Sequence, residues 1–150
     1  RRYWLKGEVD FSDTSFDPFS AQVVREGTDA TIVAYGPLVP VALAAAEAAV
    51  EDGRSIEVID LRSISPLDVP TVAASVAKTG RLIVAHEAPT FGGMGGELAA
   101  AITERCFFGL QAPVIRVGGY YMPFPVSRVE EEYVPDIDRI LEAVDRAFDY

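Results

Sequence analysis

The chain has 150 residues, 49% of them hydrophobic, with 13 basic and 23 acidic side chains, one histidine and one cysteine. That length makes one domain, burying roughly two-thirds of the surface its unfolded form would expose. The net charge of 13 − 23 = −10 excludes a nucleic-acid backbone as partner and favours a basic protein surface, and no apolar run approaches the ~18 residues of a bilayer span.

Cys106 has no second cysteine to pair with, and no leader-like segment opens the sequence, so a reducing cytoplasm is the expected compartment. The chain starts at Arg1 without a methionine and reads as a piece of something longer. Residues 1–20 mix Tyr3, Trp4, Phe11, Phe16 and Phe19 with acids and serines, without period two or 3.6. They read as a linker or extended arm whose aromatics dock on a neighbouring surface, leaving residues 21–150 as the folded domain.

Ala21–Arg25 is a short strand, and Gly27-Thr-Asp29 turns into Ala30–Tyr35, a buried strand ended by Gly36-Pro37. Leu38 to Asp52 is a helix, with Pro40 in its first turn and Gly53 as its stop. Its apolar residues surround the axis, where a surface helix would show one stripe. The sheet covers one side, and a second subunit or domain is expected on the other, with Leu38, Ala42, Ala45 and Ala49 as interface candidates. Ser55–Asp60 is the next strand and Ser65-Pro66 a break. Asp68–Lys78 is a helix that Asp68 caps and Gly80 ends.

The centre of the chain is the stretch from Arg81 to Leu98. An apolar strand stops at His86-Glu87 and empties into Gly92-Gly93-Met-Gly95-Gly96, with Glu97 in the first turn of a helix that runs on from Leu98 to Phe107. His86 and Glu87 therefore fall at the carboxyl end of a strand, the edge where open parallel sheets gather ligands. Pro113–Val117 is a further strand closed by Gly118-Gly119. Tyr120-Tyr121-Met-Pro-Phe124-Pro125 is a loop of exposed aromatics, and Pro135–Phe148 is an amphipathic final helix. Strand and helix alternate, which specifies a three-layer α/β/α sandwich around a mainly parallel sheet.

Tests for chemistry are mostly negative. Gly93-Met-Gly95-Gly-Glu-Leu98 has leucine where a dinucleotide fingerprint needs Gly or Ala, no Gly-Lys-Ser/Thr follows the loop, and Gly-x-Ser-x-Gly does not occur. One histidine and one cysteine cannot supply a usual zinc set. Two readings of His86 and Glu87 stay open: acid or base groups at the edge of an active site, or residues that orient a loop or interface. The glycine loop either holds an anion at a helix N-terminus or merely turns the chain. Cys106 reads as a core thiol.

Six ordered motifs carry a family resemblance over residues 20–149. They are Gly36 after an apolar strand, Val58-Ile-Asp-Leu-Arg62-Ser-Ile-Ser-Pro66-Leu-Asp68, Lys78-Thr-Gly80-Arg-Leu82, His86-Glu-Ala-Pro89, Gly92-Gly93 with Glu97, and Ala112-Pro113 through Arg116-Val-Gly118-Gly-Tyr-Tyr-Met-Pro123-Phe-Pro125. The chain resembles the C-terminal transketolase-like domain of the E1 beta subunit of 2-oxo acid dehydrogenase complexes. His-Glu-Ala-Pro and Gly-Tyr-Tyr-Met-Pro-Phe-Pro look closer to the branched-chain type, although Tyr121-Met122 stands where that pattern tends to have Asp-Thr.

The resemblance implies a five-stranded sheet with the first strand antiparallel, and an α2β2 enzyme that uses thiamin diphosphate with Mg to decarboxylate a 2-oxo acid and pass the acyl group to lipoyl on E2. It implies that the cofactor carboxylate, the catalytic histidine and a potassium site lie in a separate pyrimidine-binding domain, so no catalytic, cofactor-binding or metal residue is expected here beyond the edge candidates His86 and Glu87. The implied roles are pairing with a second beta subunit, contact with the alpha subunit, and docking of the basic subunit-binding domain of E2. Tyr120, Tyr121 and Phe124 are further interface candidates, and Asp136, Asp145, Asp149 and the Tyr150 carboxylate are docking candidates. Two alternatives remain: a self-contained α/β anion-binding enzyme or module using His86 and the glycine loop, and the matching domain of another thiamin enzyme such as deoxyxylulose-phosphate synthase or transketolase.

Overall fold

A computed structural model describes residues 6–8, 12 and 17–150, so four of the five arm aromatics, Tyr3, Trp4, Phe11 and Phe16, lie outside the described residues. The fifth, Phe19, is exposed. Five strands, β1 (Gln22–Arg25), β2 (Ala30–Ala34), β3 (Ile56–Asp60), β4 (Leu82–Pro89) and β5 (Ile115–Gly119), form one sheet in the order β1-β3-β2-β4-β5. β1 runs antiparallel to β3 and every other pairing is parallel, the mixed sheet that the resemblance implies. β2 is buried from end to end, which is why its sequence is apolar apart from Thr31 rather than an alternation.

Four main helices cover the sheet: α1 (Leu38–Ala48, continued by a 3₁₀ turn over Ala49–Asp52), α2 (Val69–Thr79), α3 (Met94–Cys106) and, after the short α4 (Glu130–Tyr133), α5 (Ile137–Phe148). Their ends follow the local chemistry. The Asp68 carboxylate accepts from Thr71 N at 3.1 Å and from the Thr71 hydroxyl at 2.7 Å, and Gly80 closes α2 at φ 71°. Gly53, at φ 73°, stops the helix begun by α1. α4 and the 3₁₀ turn before it, Ser127–Val129, arise in a segment with no helical period.

α1 and α5 pack on one face of the sheet, α2 and α3 on the other. The first face is a wholly apolar core in which Leu38, Ala42, Ala45, Ala46 and Ala49 of α1 meet Ile32, Val58, Ile83 and Val117 of the sheet and Ile140, Ala143, Val144 and Ala147 of α5. This corrects one expectation. Leu38, Ala42, Ala45 and Ala49 have no accessible surface and cannot form an interface with a second subunit. The cover that an all-round apolar helix requires comes from α5 of the same chain, and the alanines permit that close approach.

α5 is anchored at its end by Phe148, whose ring lies 4.6 Å from both the Arg54 and the Arg81 guanidinium. Ile137, the first residue of α5, is partly exposed. The second face holds Val33, Ile59, Val72, Val76, Leu82, Val84, Leu98 and Ile102, and Cys106 packs at its margin as a half-buried thiol.

Candidate functional site

In this sheet β2 is followed by a neighbour on one side, β3, and β4 lies on its other side, so the topology reverses between the carboxyl ends of β2 and β4. That is where ligands bind in open α/β sheets. Here the place is filled by two rings. Tyr35, just past β2, stacks on His86 of β4 with ring centroids 6.1 Å apart and planes 29° from parallel. His86 is fully buried. Its Nδ1 donates to Ala88 O at 2.8 Å, and since a carbonyl only accepts, the neutral ring carries its proton there. Nε2 has no hydrogen-bond partner among the described residues.

The glycines of the loop owe their identity to that imidazole. A Cβ on Gly93 would stand 2.7 Å from His86 Cε1, one on Gly95 2.5 Å from Nε2, and one on Gly118 3.0 Å from Cε1. Side-chain carbons do not approach so closely, so three positions on two chain segments close on the ring only as glycine. Gly92 supplies the turn itself, at φ 74°. Burial holds the imidazole below its ordinary range, the bond to Ala88 opposes that, and the charge of Arg116 adds to it. Burial, and the charge of Glu87, likewise raise the Tyr35 phenol.

Burial settles the reading of His86: its ring is sealed, so it does not face a ligand as acid or base, and the active-site-edge role given to it is corrected. The ring occupies the Cβ side of Gly93 and Gly95, so the anion-binding alternative loses the imidazole as a ligand. The thiamin diphosphate and Mg implied by the resemblance do not fit the residues described: the imidazole of His86 is enclosed, and no group of three or more His, Cys, Asp or Glu side chains suited to a metal occurs among the described residues. Glu87 sits half-buried on the opposite side of β4 from His86.

Beyond the sealed rings the same end of the sheet presents aromatics. Phe91 and Tyr121 meet at 4.7 Å, and Tyr120 and Phe124 make edge contacts with Tyr133 at 6.4 and 5.1 Å. Tyr133 is buried and is itself seated on a glycine, since a Cβ on Gly119 would lie 2.5 Å from its Cε1. Tyr120, Tyr121, Met122 and Phe124 stay exposed, 77% in the case of Tyr121, so this loop has the free surface that α1 lacks.

The acidic docking candidates do not form one cluster. Asp136 caps the start of α5, accepting from Arg139 N at 2.9 Å, while Asp149 and Tyr150 follow its last turn, about 18 Å away along a 12-residue helix. Asp145 is paired with Arg54. Sequence reasoning missed Tyr35 as the stacking partner and Gly118 as the third wall of the cradle. The Gly118-Gly119 doublet was the available signal, but it reads equally well as a strand end.

With this geometry in view, the comparisons are decisive for the domain. The family described as transketolase, C-terminal domain, matches residues 20–140. The chain belongs to that family. Among curated relatives of this transketolase C-terminal domain, the pyruvate dehydrogenase E1 component subunit beta of Leifsonia xyli subsp. xyli is 54% identical over 149 residues, covering 99% of this chain and 44% of the relative. The 3-methyl-2-oxobutanoate dehydrogenase subunit beta of Mycobacterium tuberculosis is 47% identical over 147 residues, covering 97% and 42%. A solved split-gene transketolase, an inactive beta4 tetramer, superposes with a TM-score of 0.77 at 30% identity over 95% of this chain and 46% of that one. The chain thus spans less than half of each of these proteins. Relatives of both the pyruvate and the branched-chain kind occur, so the expected branched-chain kinship is not selected by identity.

Proposed function

We propose that this transketolase C-terminal domain is part of the β subunit of a 2-oxo acid dehydrogenase E1 component, acting as an assembly domain. The observation that carries the reading is similarity at 54% and 47% identity along almost the whole chain to β subunits of two such dehydrogenases. The switch point closed by Tyr35 and His86 is consistent with a supporting role. In this reading decarboxylation and acyl transfer to lipoyl depend on thiamin diphosphate and Mg held by segments outside this chain. The residues present here contribute the exposed aromatic wall of Phe91, Tyr120, Tyr121 and Phe124.

The partners in this reading are a second β subunit, the α subunit and the basic subunit-binding domain of E2. An acidic chain of net charge −10 complements a basic module and speeds its encounter. The finer assignment, to a branched-chain 2-oxo acid, rests on the His86-Glu-Ala-Pro89 and Gly119–Pro125 runs.

Co-expression of the full-length β subunit with its α subunit tests the reading. Decarboxylation is followed with an artificial electron acceptor, on pyruvate and on 3-methyl-2-oxobutanoate. Turnover of at least one is expected, and a higher kcat/KM for the branched acid supports the finer assignment. Turnover of neither by a folded α2β2 assembly rejects the proposal. For docking, truncation after Phe148 weakens calorimetric binding of the E2 domain, and unchanged affinity removes Asp149 and Tyr150 from that surface.

A further inference from the structure

The cleft at the open edge of β5 carries charge of the opposite sign to the rest of the chain. It encloses about 320 Å³ between α5 and the outer side of the strand, and Arg116, Arg139 and Arg146 line it with Glu142 as the sole acid. Its formal charge of 3 − 1 = +2 stands in a chain of −10. On a surface that repels anions on average, such a spot draws them in.

Two of the three guanidiniums are fixed by bonds that leave their charge uncancelled. Arg116 donates to Thr90 O at 3.2 Å. Arg139 donates to Tyr133 O at 3.2 Å and to Gly118 O, and lies 4.7 Å from the centre of the Tyr120 ring. Arg146 has neither a hydrogen bond nor an ion pair among the described residues, and none of the three arginines has a carboxylate within 4 Å. Elsewhere the fold does pair its cations, as Arg54 with Asp145 and Lys78 with Glu57.

Protection of the sheet edge explains part of this, since Arg139 occupies a carbonyl that a foreign strand would otherwise use. It does not explain why Arg116 and Arg146 face the same cleft. Guanidinium forks already held in place present their remaining N–H groups to an oxyanion at little ordering cost. A formal charge of +2 matches a dianion, and the volume is at the small end of ligand sites, too small for a folded segment.

We propose that this cleft binds the phosphate group of a small molecule, with Arg116, Arg139 and Arg146 as its ligands. The cleft shares Tyr120 and Tyr121 with the aromatic wall of the function proposed above, but its binding of an anion does not depend on that function. The test is isothermal titration of the full-length subunit with inorganic phosphate and with glycerol 3-phosphate, at constant ionic strength set by chloride. Saturable one-to-one binding is expected, weakened at least tenfold by Arg146→Gln and by Arg116→Gln, both exposed positions, and unchanged by Arg105→Gln on α3. Tighter binding of the ester identifies an anion carried on an organic body, and equal binding identifies free phosphate. Absence of saturable binding to either probe, or affinity undiminished in both cleft variants, overturns the proposal.

Discussion

The two faces of one sheet are built on different rules. Under α1 and α5 the core is aliphatic and alanine-rich, apart from Tyr133, and its residues are interchangeable in kind. Under α2 and α3 it includes two polar inclusions that each require particular neighbours. One is His86 in its cradle of three glycines, and the other is Glu57, which accepts from Ser75 and Lys78 while Thr31 reaches Ser75 and Thr79 at 2.7 Å. The first face gets its stability from burial and packing, whereas on the second His86 fixes the geometry at the carboxyl edge, beside the aromatic wall, and the Glu57 cluster fixes the amino edge, where β2 and β3 begin.

The largest expected effect is on the plain face. Ile140→Ala removes a fully buried side chain at the meeting of α1, α5 and the sheet and should cost about 2–5 kcal/mol by urea denaturation. A loss below about 1 kcal/mol would mean that α5 is not the cover of α1 and would reopen the case for an external partner there. Next comes the cradle. Gly95→Ala forces a methyl against His86 Nε2 and should cost about 2–3 kcal/mol, whereas Gly53→Ala meets no atom within 4 Å and pays only for its positive φ, about 1 kcal/mol. In the double variant His86→Ala with Gly95→Ala the two losses should add to less than their sum, since the clash is gone. Full additivity would show that the ring does not shape the loop.

Glu57→Leu should cost about 1–3 kcal/mol by removing the buried acceptor of the Ser75 hydroxyl and one of the two carboxylates that pair with Lys78. Burial alone would raise the Glu57 carboxyl, but the bonds from Lys78 and Ser75 outweigh it and hold the group below the ordinary glutamate range, about 4.5. Its contribution is therefore complete above about 4.5 and lost as pH falls through the folded value. The smallest effect separates the two inclusions. Burial depresses His86 below the ordinary histidine range, about 6.5, so the unfolded chain takes up that proton first. Stability should be flat above about pH 6.5 and decline below it, by at most about 1.4 kcal/mol per pH unit, in a window higher than that of Glu57. Denaturation series from pH 8 to 5 should show that slope, and His86→Asn should remove it.

The same contrast decides what could be read before the structure. Strand order of types, the caps at Asp68 and Gly80, the stop at Gly53 and the antiparallel first strand follow from apolar period, turn chemistry and the family motifs, all of which are local or stereotyped. The partner of α1 was not legible, because apolar residues on every side of a helix state that it is covered and not by what. Gly93 and Gly95 were legible as a hinge, but their reason lies across space in His86, and Gly118 completes the cradle from a strand more than twenty residues away. The start of α3 at Met94, which puts Glu97 in its first turn as expected, has the same origin, since glycines of poor helix propensity are held helical by the ring packed against them.

The most direct test of the sealed switch point is the protonation state of His86 followed by nitrogen-15 NMR of the labelled full-length subunit. A neutral ring with its proton on Nδ1, unchanged from pH 8 to 6 and unmoved by added phosphate or 2-oxo acid, is the expected result. An imidazole that titrates near 6.5, or that shifts when an acid ligand is added, would show a ring open to solvent and contradict the account.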